Sequence, residues 1–188
     1  MITRTRVITI YLIGLIIIFF SVTVNSLRFG RKSFMKGNSN VINQLNQILS
    51  FELSAINQYF LHARMFKNWG IEKLNQQDYK KSIQDMKHAD KLIERILFLE
   101  SQPNIQDLEK IKIGSDCDNM LRNDKLIVEN QLVLLGSAIA ICEQEKDYVS
   151  RDLLVEIQED EEEHLDWLEA QFELIAMTGL QNYIQSQI

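Results

Sequence analysis

Of the three histidines in this sequence, His88 and His164 each follow an acidic residue by three positions, as Asp85-x-x-His88 and Glu161-x-x-His164. On a helix, positions three apart lie on one face, so each pair presents a carboxylate and an imidazole to the same point. One such pair is common on a solvated helix face. Two of them on separate helices of one bundle form half of a dinuclear carboxylate metal centre, which the other two helices complete with a lone Glu each. Glu52 is the first lone carboxylate: it sits between Phe51 and Leu53 and shares a face with Tyr59, seven residues on. An acid among apolar neighbours is costly to bury unless it is paired or binds metal. The second lone carboxylate is out of register. Leu121, Val128, Leu135 and Cys142 recur every seven residues as an apolar seam, which turns Val128 inward. Glu129 lies about 100° further round the helix, where it reads as a surface charge unless a π-bulge rotates it in as a metal ligand.

These residues need four long helices to hold them. Helical apolar spacing runs over 40–69, with Asn38, Ser39 and Asn40 as caps and Gly70 as a stop, and again over 76–100, ending before Pro103. After a connection through Gly114, Ser115 and Asp116 cap a third helix reaching about residue 146. A fourth covers 149–176, and a short fifth follows Gly179 over 180–187. The expected fold is all-α: a four-helix bundle whose longest link, between the second and third helices, is a crossover, with a short C-terminal helix.

Only seven Gly and one Pro interrupt the chain, which argues against a β-rich fold. The two cysteines, Cys117 and Cys142, are too far apart for a thiolate zinc site and suit a reducing compartment. Five of the 20 cations lie in residues 1–34 with no acid, so the remaining 15 face 26 acids, a formal charge of −11. An acidic body of this kind suits cationic cargo and excludes a nucleic-acid partner. Residues 7–27 carry no charge and are long enough to span a bilayer. Two readings stand: a membrane anchor through 7–27, or a misplaced start, with residues 1–34 an extension and the working domain beginning at Met35.

Residues 55–70 (AINQYFLHARMFKNWG), 86–90 (MKHAD), 93–100 (IERILFLE), 147–152 (DYVSRD) and 179–183 (GLQNY) resemble the bacterioferritins, the haem-containing ferritins. The resemblance runs from Met35 to Ile188 and favours the misplaced start. It implies a ferritin-like bundle over 35–188 and a hollow cytoplasmic shell of 24 subunits. Such a shell oxidises Fe(II) with oxygen or peroxide at an intrasubunit di-iron centre and stores ferric mineral. It also implies a role as ferroxidase, a reducing ferredoxin as partner, and haem b.

Carried over by position, Glu52 and His88 bind one iron, His164 binds the other, and Glu161 bridges the two. Asp85 stands where the family has a bridging Glu, and Val128 where it has the second iron's terminal Glu. The shorter bridge and the lost carboxylate predict a weakened second iron site. Met86 falls on the haem ligand, one residue past Asp85 and therefore turned out toward a two-fold partner. Tyr59 and Trp167 are aromatic neighbours of the centre, and His62, off the Glu52 face, has no assigned role. Lys80 and Gln84 replace the family's inner-surface iron ligands. The leading expectation is an iron-storage subunit with reduced ferroxidase activity. The alternative is a non-catalytic, haem-bearing structural subunit of a shell mixed with an intact ferritin subunit.

Overall fold

The computed structural model describes residues 36–188. Five helices follow one another: α1 (Ser39–Asn68), α2 (Glu72–Phe98), α3 (Cys117–Gln144), α4 (Tyr148–Thr178) and α5 (Leu180–Ser186). Asn38 caps α1 by accepting from the Asn40 amide at 2.7 Å, and Asp116 caps α3 through the Asn119 amide. Asp147 caps α4 through the amide of Ser150. Gly70 follows α1 at φ 78°, where the Ile71 amide closes back on the Phe66 carbonyl. That left-handed cap has no steric cost for glycine. Glu100 and Lys146 take the same conformation at the ends of α2 and α3 despite their side chains.

α2 starts four residues earlier than its apolar periodicity predicts. Ile71 and Leu74 are buried in the core, and the Lys73 amide donates to the Gln187 carbonyl just past α5, so tertiary docking extends the first turn. The other helix ends fall within two residues of expectation.

The link between α2 and α3 is the crossover, and α1 holds it. Four α1 side chains spaced one turn apart bind it in order: Ser50 donates to the Asp107 carbonyl at 2.6 Å, Ser54 accepts from the Glu109 amide at 2.8 Å, Gln58 from the Lys112 amide at 3.0 Å, and His62 from the Gly114 amide at 3.2 Å. The loop therefore runs alongside α1 in the same direction, which leaves α2 and α3 parallel and makes the bundle a crossover type.

The core is two apolar clusters, one around Leu45, Ile48, Leu92, Leu135 and Ile157, the other around Tyr59, Phe66, Leu74, Leu121 and Leu168. Along every long helix the residues between the clusters include buried polar groups: Glu52, Asp85 with His88, Gln131, and Glu161 with His164. This polar belt is where the predicted donors meet. Among the described residues α3 alone is long and apolar enough to cross a membrane, yet its Val128, Leu135, Ala138 and Cys142 are packed inside the bundle. The apolar stretch at 7–27, with the rest of the 1–34 extension, lies outside the described residues.

Candidate metal centre

Glu52 from α1, Asp85 and His88 from α2, and Glu161 from α4 converge in the belt, each offering a donor atom within 4.8 Å of the others. All four are buried, the three carboxylates completely. Gln131 of α3 donates to Glu52 Oε1 at 2.9 Å, and His88 Nδ1 stands 3.4 Å from the same oxygen. His88 Nε2 meets Asp160 Oδ2 at 2.9 Å. A carboxylate on the outer nitrogen fixes the ring and directs Nδ1 into the centre, the usual support for a metal-binding imidazole. The inner atoms then have no partner: Glu52 Oε2, Asp85 Oδ2, Glu161 Oε2 and His88 Nδ1 are buried and unbonded. Three hard oxygens and one imidazole nitrogen, once the ring gives up its proton, are a donor set for a divalent cation.

The electrostatics agree with that need. Burial drives the Glu52 carboxyl above the ordinary range and the Asp85 carboxyl well above it, since charge there lacks solvation. Burial also works against a charged His88 ring, but the nearby Glu52 and Asp160 carboxylates outweigh it and hold its pKa at about 9. His164 goes the other way, to about 3, because it is buried and faces the Lys81 charge. It is neutral, stacked on Trp167 at 5.7 Å and edge-on to Tyr59 at 5.4 Å, with Nε2 unbonded at the margin of the cluster.

Helix α3 brings no carboxylate. Val128 is fully buried on the belt side. Glu129, a ligand only if a π-bulge turned it inward, does not reach the centre: it is 48% exposed and 3.7 Å from Lys125, and α3 is α-helical throughout. Without a π-bulge the register keeps Glu129 outside.

The sequence pattern did not single out a residue that pairs with two of the cluster's carboxylates. Lys81 of α2 is 2% exposed, and its Nζ bonds Asp85 Oδ1 and, at 2.5 Å, Glu161 Oε1. Burial opposes its charge, but the Asp85 and Glu161 carboxylates more than restore it, so its pKa lies above the ordinary lysine value. The signal was available, since Lys81, Asp85 and His88 share one face at spacings of four and three. Beside the cluster opens a cleft of about 660 Å³ lined by Lys80, Lys81, Gln84, Lys87 and His164, so the replacements at positions 80 and 84 border the site.

His62 is also more than the bystander expected from its helix face. It is fully buried; its Nδ1 lies 2.8 Å from Asp124 Oδ1, and its Nε2 accepts from Gly114. Both ring nitrogens are engaged, which leaves no lone pair for a metal and makes His62 a clamp on the crossover loop. Asp78 stands within 4.8 Å of this pair with Oδ2 unbonded. Burial, then the Asp124 charge, pushes its pKa well up.

Met86, one residue past Asp85, is half exposed, on the outer face of α2 that also carries Tyr79 at the surface.

Residues 42–178 match the ferritin-like domain model. The "Bacterial ferritin" of a Synechocystis species is 46% identical over 155 residues, covering 82% of this chain and 99% of that protein. That of Pseudomonas aeruginosa is 43% identical over 155 residues, with 82% and 100% covered. The "Bacterioferritin" of Brucella melitensis is 40% identical over 151 residues, with 80% and 94% covered. A crossover bundle with a belt of carboxylate and imidazole donors, matched over almost the whole length of these relatives, places the chain in the ferritin family as a bacterioferritin.

Proposed function

We propose that the chain is an iron-storage subunit of a 24-subunit bacterioferritin-type shell, working in the cytoplasm, with a centre that takes Fe(II) as substrate and holds it through Glu52, Asp85, His88 and Glu161. The observation that carries this reading is the gathering of four residues, each with a buried and unbonded donor atom, in one belt of the bundle. Asp160 orients His88, Gln131 holds Glu52, and Tyr59 and Trp167 wall the site around His164. Fe(II) held there would be oxidised to Fe(III) by dioxygen or peroxide, two ferrous ions giving one electron each for every two-electron reduction of the oxidant, and the ferric product would pass to the store. Val128 and Asp85 support a reduced ferroxidase rate. Support for assembly comes from the similarity to the bacterial ferritins over almost their whole length.

Met86 is the residue for haem b, whose iron would supply an electron path to a reducing ferredoxin. Loss of the α3 carboxylate favours the second reading, in which the subunit bears haem in a mixed shell and leaves oxidation to an intact partner subunit. Light scattering of the purified chain, followed by stopped-flow Fe(II) oxidation, tests both. A shell that oxidises Fe(II) slowly and retains the product supports the first. An inert shell that becomes active only with an intact ferritin subunit supports the second, and a stable monomer at micromolar concentration overturns both. Met86→Leu should abolish the bis-thioether haem spectrum without changing particle size.

A further inference from the structure

Charge decides how many ions the belt can hold. Glu52, Asp85 and Glu161 bring three negative charges, and Val128 removes the carboxylate that the family places on α3. Lys81 sets one positive charge between Asp85 and Glu161, the two residues that the family resemblance assigns to bridging. With His88 neutral as a metal ligand, three carboxylates less one ammonium leave two negative charges, which one divalent ion balances; a second ion would leave the buried belt positive. The position of Nζ adds a steric bar, because one oxygen from each of these carboxylates is already bonded to it. The remaining oxygens, Asp85 Oδ2 and Glu161 Oε2, are buried and unbonded, and both residues belong to the cluster with Glu52 and His88. His164, the ligand left on the far side, is neutral with Nε2 unbonded and has only Val128 from α3, in place of a carboxylate, to complete a second ion's ligand set.

We infer that the Lys81 ammonium is a built-in substitute for the second metal ion, and that Lys81 and Val128 form one coupled replacement which turns a two-metal centre into a one-metal centre. This rests on the reading of the belt as the metal centre. A two-ion site does not fit these residues. Two-electron reduction of dioxygen to peroxide takes one electron from each of two ferrous ions, so a one-metal centre cannot complete it within one subunit.

The test is anaerobic Co(II) titration of the purified full-length protein, read by the visible absorption of bound Co(II) and by metal analysis after dialysis. Wild type should bind one tight Co(II) per chain. Val128→Glu alone should still bind one, because the new carboxylate pairs with Lys81. The double variant Lys81→Ala, Val128→Glu should bind two, with a second absorption band set. Two tight ions in wild type or in the single variant overturn the inference, as does one ion in a folded double variant. No tight ion in wild type overturns the metal-centre reading itself. The wild-type and Val128→Glu results decide the matter even if the double variant fails to fold.

Discussion

Among the described residues Asp78 is a buried carboxylate with no salt-bridge partner and one orphaned oxygen, and its raised pKa carries a pH signature. Its folded pKa exceeds the unfolded value of 3.8, so the folded chain binds the proton more tightly. The stability this contributes is present below pH 3.8 and is lost as pH rises toward the folded pKa. Asp78→Asn should remove that slope and stabilise the fold at neutral pH by about 1 kcal/mol, since an amide can donate to Asp124 where a carboxylate repels it. Urea denaturation at pH 4 and pH 7.5 checks it: the gain should be confined to the higher pH. Glu129→Gln should leave metal stoichiometry unchanged, because its neighbour is Lys125 and its place is solvent. Loss of a tight Co(II) in that variant would refute the register described for α3.

Two helix ends and one loop contact dominate at the scale of elements. Glu100 and Lys146 hold left-handed φ values of 59° and 58° that favour glycine. Lys146→Gly should stabilise the α3–α4 turn by about 0.5–1 kcal/mol, read as a rise in the denaturant midpoint at constant slope. Gly114 is the opposite case. A Cβ there would lie 2.4 Å from Met120 Cγ and 2.6 Å from the Met120 backbone nitrogen, and backbone cannot yield as a side-chain tip does. Gly114→Ala should cost about 1–3 kcal/mol, and since the Gly114 amide also bonds His62, the crossover loop should become the first segment to lose hydrogen-exchange protection.

The whole molecule poses a question of where the chain starts. A shell radiates its termini from a sphere, and 24 apolar segments on a sphere cannot share one planar bilayer, so an anchor at 7–27 conflicts with the proposed assembly. We propose the misplaced start, with the endogenous protein beginning at Met35. Mass spectrometry of the native N-terminus should find Met35 or Lys36; a chain carrying residues 1–34 would favour the membrane-anchored alternative.

Four helices, the N-caps of α1 and α3 and the two acid-x-x-His pairs are legible in the sequence because each is a local property: apolar spacing marks a buried face and a capping side chain marks an end. Glu52 was legible too, since an acid inside an apolar stripe needs a reason. The inward turn of Val128 followed from a seven-residue repeat that the fold keeps. Lys81 was not legible in its role, because a lysine four residues before an aspartate is the commonest surface pair on any helix. Its burial depends on Glu161, 80 positions away on α4. The His62 clamp likewise needs Asp124 from α3 and an amide from the crossover loop. Spacing along one helix determines which residues share a face, while the charge that faces them across the bundle is set by packing between distant segments, and only the tertiary structure decides it.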